Sequence, residues 1–171
     1  MVIWIIGLSG AGKTTLANKV VKDLRDSKIS TVLIDGDVIR DTFDNDLGHS
    51  IADRKTNADR ISKLCRFLDN QNLNVICSIL SLFPESREWN RKNINNYFEV
   101  FIDTPLDNLI ERDYKSLYKD YNIGKIKNVA GMDLEFIPPA SPDLLINNNN
   151  SLDHLLSYSN YICEIVKNSN S

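Results

Sequence analysis

Cysteine is scarce in this chain. Cys65, Cys77 and Cys163 are odd in number and far apart, with no C-x-x-C pair, which excludes a disulfide framework, a zinc knuckle and a dithiol redox site. They are expected to be reduced, buried thiols. Long apolar runs are missing too. The longest opening run, Val2 to Ile6, has no basic flank and falls far short of the roughly 20 residues that span a bilayer. A soluble, cytoplasmic protein with no membrane partner is therefore expected. There is no excess of positive charge: 20 Lys+Arg stand against 23 Asp+Glu, a net charge of −3. No broad basic face exists for gripping nucleic acid, and any anionic ligand must be held locally.

What is present is ordinary globular material. The chain has 171 residues, 42% hydrophobic and 25% charged, enough for a single domain with one sizeable core. Short β-branched runs alternate with segments of helical period, the pattern of βαβ units around a parallel sheet. The strands predicted are Val2–Ile6, Thr31–Ile34, Asn74–Leu80, Glu99–Ile102 and Leu144–Ile146. Leu16/Val20/Leu24 and Ile61/Leu64/Cys65/Leu68 recur at three to four residues and mark crossover helices. Thr104 before Pro105 reads as a cap followed by proline at the first helical position. Ser151 opens a last helix with Leu152, Leu155, Leu156, Ile162 and Val166 inward. Asn147 to Asn150 reads as a polar turn, while Tyr114 to Pro142 is punctuated by glycine and proline and lacks a long apolar period, as lids and mobile loops do.

The chemistry begins at Gly7-Leu8-Ser9-Gly10-Ala11-Gly12-Lys13-Thr14. It matches G-x-x-x-x-G-K-[ST] between a strand and a helix, the setting that a phosphate-binding loop requires. Glycines let backbone N–H groups converge on phosphate oxygens, the helix N-terminus adds partial positive charge, and Lys13 adds a full one. Ser9 through Thr15 are thus the expected phosphate contacts of a nucleotide, ATP among the candidates, with Thr14 holding Mg²⁺ through its hydroxyl; the loop alone does not separate kinase, GTPase and ATPase. The glycine spacing is not that of a dinucleotide site. A second signal is Asp35-Gly36-Asp37 at the end of the second strand, where open α/β sheets bind ligands. Phosphoryl transfer to an alcohol needs a carboxylate that orients the hydroxyl and accepts its proton, with lysine and Mg²⁺ balancing charge. Asp37 is the candidate for that role. Asp35 supports it, by positioning Asp37 or through metal-bound water. No N-K-x-D guanine-reading sequence exists. An ATPase, with Val100-Phe101-Ile102-Asp103 as its metal strand, and a nucleotide-binding module without turnover remain as other readings.

These residues resemble the adenylylsulfate kinases, which move the γ-phosphoryl of ATP to the 3′-hydroxyl of adenylylsulfate. The resemblance runs through Gly7–Leu16, Asp35–Asp37 with Arg40, Asp46–Gly48, Asp53-Arg54 with Asn57 and Arg60, and Phe98–Leu106. It continues to Arg112-Asp113 with Lys115, Leu117–Lys119 and Gly131. It implies a P-loop kinase fold, a five-stranded parallel sheet flanked by helices, over residues 1–171 with a mobile lid at about 112–142. It also implies ATP and a small nucleotide acceptor as ligands, and a homodimer as a candidate assembly. Arg40, Arg54 and Asn57 would face the acceptor, and arginine can fork two bonds onto phosphate oxygens. Arg112 would join the ATP site and Lys115 the catalytic groups. The lid would carry the positive charge of Arg112, Lys115, Lys119, Lys125 and Lys127 over the nucleotides.

The departures from the family pattern cluster on the acceptor side. D-G-D-N becomes Asp35-Gly36-Asp37-Val38, and D-L-G-F becomes Asp46-Leu47-Gly48-His49. The lid phenylalanine before T-G aligns with Val129 before Ala130-Gly131. Those two phenylalanines sandwich adenine in the family. I-S-P-Y-R becomes Leu80-Ser81-Leu82-Phe83-Pro84, which moves a proline and removes an arginine from the acceptor rim. Stacking is worth about 1–3 kcal/mol per base, so an acceptor other than an adenine nucleotide is expected. The resemblance extends to the cytidine diphosphoramidate kinases of this family, with adenylylsulfate itself as the alternative acceptor. The acceptor wall would then comprise His49, Leu80, Ser81, Val129 and Gly131, beside Arg40, Arg54, Asn57 and Lys115.

Overall fold

The computed structural model describes residues 1–113, 115–149 and 151–169. The elements run β1 (Val2–Ile6), α1 (Lys13–Asp26), β2 (Thr31–Asp35), α2 (Gly36–Thr42), α3 (Ile51–Asp69), β3 (Asn74–Ile79), α4 (Pro84–Asn93), β4 (Tyr97–Asp103), α5 (Leu106–Arg112), α6 (Leu117–Asn122), β5 (Leu144–Asn147) and α7 (Leu152–Ser169). All five strands are parallel in the order β2-β3-β1-β4-β5. The five predicted strands are those observed, Val2–Ile6 with the same ends and the others with ends shifted by at most two residues.

Strand β1 occupies the centre because every one of its side chains is buried, as a parallel strand covered on both faces must be. Its period-2 alternation divides the core. Ile3 and Ile5 join Leu16, Val20 and Leu24 of α1 and Leu155, Ile162 and Val166 of α7 on one face. Val2, Trp4 and Ile6 join Ile61 and Cys65 of α3 on the other. All three cysteines are buried and free, as expected.

Differences from the sequence expectations have local causes. Helix α5 starts at Leu106 with Pro105 as its flanking residue, because Pro105 holds an extended ψ of 139°. Thr104 therefore caps nothing, and its buried Oγ1 has no partner. Ser151 does cap α7, its hydroxyl accepting from the His154 amide at 3.4 Å. Leu152 is 57% exposed rather than inward, because it lies at the mouth of the cleft described below. Helices α2, α4 and α6 carry no long apolar stripe. The segment expected to be a bare loop contains α6 and a bridge between Ala130 and Leu134, and it buries Tyr118 and Val129 in the core. Tyr114 and Asn150, which fall in two of the sequence expectations, lie outside the described residues. Among the described residues no helix is long and apolar enough to cross a membrane.

Candidate active site

The carboxyl ends of β1, β2 and β3 open into one cavity of about 1220 Å³, larger than the roughly 300–1,000 Å³ that suits one small ligand. Its position is dictated by topology. The chain leaves β1 for β2 and β3 on one side and returns to β4 and β5 on the other, so a crevice forms above β1 at this switch point.

One side of the cavity is the Gly7–Thr14 loop. Gly10 and Gly12 have φ of 81° and 94°, left-handed values that glycine adopts without steric cost. A Cβ on Gly12 would also stand 2.5 Å from Leu155 Cδ2. Ser9, Gly10, Gly12, Lys13, Thr14 and Thr15 line the cavity, and Ala11 does not. Ala11 is fully buried, and its amide donates to the Leu8 carbonyl at 3.2 Å. Its role is to shape the loop rather than to present a free donor. Lys13 Nζ donates to the Leu8 carbonyl at 2.9 Å. Burial lowers its pKa to about 8, against the opposing pull of Asp35 and Asp37, and Lys115 adds to the lowering.

A triphosphate seated on this loop would meet that amine, which would give its binding a pH dependence. Below about pH 8 Lys13 is charged in the free protein, and an adjacent triphosphate would hold it charged. Above that pH the free protein loses the proton, so binding must recover it. The Kd for ATP is expected to be flat from about pH 6.5 to 7.5 and to rise up to about tenfold per unit above pH 8. Isothermal titration across that range checks it.

Opposite the loop stands the Asp35-Gly36-Asp37 turn. Asp35 caps α2, its Oδ1 accepting from the Asp37 amide at 2.9 Å, while its Oδ2 accepts from the Thr14 hydroxyl at 2.9 Å. Ser78 Oγ lies 3.4 Å from the same hydroxyl. These hard oxygens suit Mg²⁺. Among the described residues no group of three or more His, Cys, Asp or Glu could cage a metal, and Mg²⁺ typically binds through one or two protein ligands plus substrate phosphates. Asp37 Oδ2 accepts from Lys115 Nζ at 2.7 Å. Desolvation by the surrounding cleft pushes the Asp37 carboxyl up, but the hydrogen bond and charge of Lys115, backed by Lys13 and Arg40, outweigh it and hold Asp37 below the usual carboxylate range. The bond to Asp37 raises Lys115 in turn.

The far wall holds Arg40, His49, Arg54, Asn57, Leu80, Ser81 and Val129. The arginines brace the wall itself. Arg40 Nη1 donates to the Gly48 carbonyl at 2.7 Å. Arg54 Nε donates to the His49 carbonyl at 3.1 Å, and its Nη2 to the Asn128 carbonyl at 3.0 Å. They build the loop that carries His49 and pin the 126–130 segment to α3. Burial and the nearby Arg40 guanidinium push Arg54 down from its ordinary value, against the opposing pull of Asp37 and Asp133. Burial, Arg54 and Arg40 likewise push His49 down, so its imidazole is neutral at pH 7. Asn57 is 3% exposed; its Nδ2 donates weakly to Gly36 O at 3.4 Å and its Oδ1 has no partner. Ser81 holds φ of 53°, fixed by Trp4 Nε1 donating to its hydroxyl at 3.1 Å and Arg87 donating to its carbonyl at 2.7 Å.

Two expectations on the lid side need correction. Gly131 is not on the cavity wall; its amide donates to the Leu134 carbonyl at 2.9 Å, and the glycine packs against Leu8. Of the basic residues, Arg112, Lys115 and Lys127 line the cavity, whereas Lys119 and Lys125 do not. Lys125 is paired with Asp120 at 2.8 Å. One contributor carries no motif that would announce it. Asn148 is buried and lines the cavity, and its Nδ2 donates to the Ala11 carbonyl at 2.9 Å. In the sequence it is hidden in a run of four asparagines. Phe83 brings the one aromatic carbocycle among the described lining residues, a position already visible in the Leu80–Pro84 stretch.

A P-loop over a parallel sheet, facing an acid-bearing turn and a cation-lined wall, defines a P-loop kinase. The chain belongs to the adenylylsulphate kinase family, whose model matches residues 1–147, and it is an ATP-dependent phosphotransferase. It is 39% identical over 143 residues to a probable adenylyl-sulfate kinase of Pseudomonas aeruginosa, covering 84% of this chain and 67% of that one. It is 37% identical over 151 residues to the cytidine diphosphoramidate kinase of Campylobacter jejuni, covering 86% of each. The APS kinase CysC of Mycobacterium tuberculosis, solved with AMPPNP and APS, superimposes with a TM-score of 0.88 at 32% identity, over 97% of this chain and 96% of that one.

Proposed function

We propose that the protein transfers the γ-phosphoryl group of Mg-ATP to the ribose 3′-hydroxyl of cytidine diphosphoramidate. In this step the acceptor O–H bond breaks and its proton passes to Asp37. A bond forms from that oxygen to the γ-phosphorus, and ADP leaves. Thr14 and Asp35 would hold Mg²⁺, which neutralises charge on the β- and γ-phosphates. Lys13 and Lys115 flank the moving group, Arg112 lies on the ATP side, and Arg40 and Arg54 face the acceptor's phosphates.

The observation that carries the acceptor is the wall where the family sandwiches adenine: His49 stands on it, and at the second position a buried Val129 supplies no ring. A neutral imidazole both stacks and hydrogen-bonds, and valine offers no ring face. Such a wall favours a single-ring base over a purine. The unpartnered Asn57 Oδ1 is free to accept a hydrogen bond from the acceptor. The similarity to the Campylobacter jejuni kinase supports the reading. Phosphorylation of adenylylsulfate is the second reading, favoured by the names of the other relatives and by Phe83, which supplies an aromatic face on the same cavity.

Purified protein with Mg-ATP and either acceptor, followed by mass spectrometry for one added phosphoryl group, separates the two. The expected result is a kcat/KM for cytidine diphosphoramidate about tenfold or more above that for adenylylsulfate. The reverse ratio establishes the second reading, and ATP binding without transfer to either establishes a non-catalytic module. A single substitution sharpens the test. His49→Phe should raise the adenine-to-cytidine ratio of kcat/KM by about fivefold or more, because it restores one stacking face. Val129 is a poor partner for that experiment: it is 1% exposed and packed in the core, where a larger ring would overpack.

A further inference from the structure

Helix α6 reaches both halves of the site. Tyr118, at its second position, is 1% exposed, and its hydroxyl donates to the Ser9 carbonyl in the phosphate loop at 3.0 Å. Just before the helix, Lys115 reaches the other way, to Asp37 at 2.7 Å. Asp113 ties these ends together. Its Oδ1 accepts from the Tyr118 amide at 3.2 Å, its Oδ2 from the Lys119 amide at 2.9 Å, and its carbonyl from the Ser116 amide at 2.9 Å. Ser116 sits at φ of 55°, a left-handed value that a non-glycine residue keeps only when its surroundings hold it there.

We propose that Tyr118 is a positioning residue that couples the phosphate loop to Lys115, so that the lysine's placement beside Asp37 depends on the conformation of the loop that holds the triphosphate. The inference rests on Asp37 as proton acceptor. The Lys115–Asp37 pair is itself exposed on both sides, and such pairs hold little geometry on their own. The Tyr118 bond, made by a ring that is 1% exposed, is the firmer anchor. Burial first, and the charge of Asp113 second, push the Tyr118 phenol up to about 12, so it stays protonated through the neutral range. Ser9 lines the cavity, and a shift of its carbonyl on ATP binding would pass directly to α6.

The test is a double-mutant cycle on the full chain with Tyr118→Phe, Lys115→Met and the pair. Phenylalanine keeps the buried ring and removes only the donor. Tyr118→Phe is expected to lower kcat about tenfold while the KM of the acceptor stays within about twofold of wild type. In the Lys115→Met background the same change should cost no more than about twofold further, because the residue it acts through is gone. Losses that multiply would overturn the coupling, as would a wild-type kcat in Tyr118→Phe. If Tyr118→Phe does not fold, Asp113→Asn goes through the same cycle, with the same two outcomes deciding. Normal turnover by Asp37→Asn would remove the base assignment alone, since the cycle measures coupling between Tyr118 and Lys115 whichever group takes the proton.

Discussion

Asp37→Asn is expected to reduce phosphoryl transfer by about 10²–10⁴-fold, the span typical of a lost general base, with the Kd for ATP unchanged. The amide is nearly isosteric, and the Asp37 backbone N–H still donates to Asp35, so the turn survives. What disappears is the acceptor for the sugar proton. The salt bridge to Lys115 goes too, but it is exposed at both ends and contributes little to stability. The pH profile supplies an independent check. A carboxyl held below its usual range is ionised throughout the neutral region. In the wild type, kcat/KM should therefore hold on acidification until pH falls through that depressed value, below where an ordinary aspartate titrates. Asp37→Asn should lack that limb. Steady-state kinetics with titration calorimetry for ATP measures both, and near wild-type turnover would remove Asp37 as the proton acceptor.

How far the sequence reaches is clearest by comparing Lys13 with Tyr118. Lys13, Thr14, Asp35 and Asp37 sit in short motifs whose spacing alone predicts their chemistry, and the structure gathers all four around one cavity. The strands are legible for a similar reason: Val2–Ile6 and Asn74–Ile79 are wholly buried, so most of their side chains are apolar. Helices α2, α4 and α6 are not, since they hold by caps and single anchors. Examples are Asp35 on the Asp37 amide, Pro84 at the start of α4, and Tyr118 in the core. Contacts between distant residues carry no local signature. Tyr118 meets Ser9 across 109 positions, and Asn148 meets Ala11 across 137. The bonds from the Arg40 and Arg54 guanidinium groups to backbone carbonyls are another instance, because a motif assigns an arginine to a ligand without revealing which carbonyls it holds first.

Lys13→Ala is the second large effect, and its value lies in separating charge from fold. The amine sits under the glycine loop, where burial lowers its pKa to about 8. Its charged form is thus disfavoured in the folded protein relative to the unfolded chain below pH 10.5, and folding gains nothing from it at neutral pH. Removing it should leave the melting temperature unchanged or higher. Catalysis should suffer in the opposite sense, because the one full positive charge in the loop is lost while its backbone donors remain. Losing a single preorganised charge-stabilising group costs about 10²–10³-fold, and here the loss should appear in kcat/KM for ATP. Lys13→Arg should not restore it: the Lys13 amine already contacts the Leu8 carbonyl at 2.9 Å, and a longer, planar guanidinium cannot take its place. Calorimetric melting beside steady-state kinetics reads both axes at once. A lower melting temperature with unchanged kcat/KM would mean that Lys13 braces the loop and leaves the phosphates to other groups.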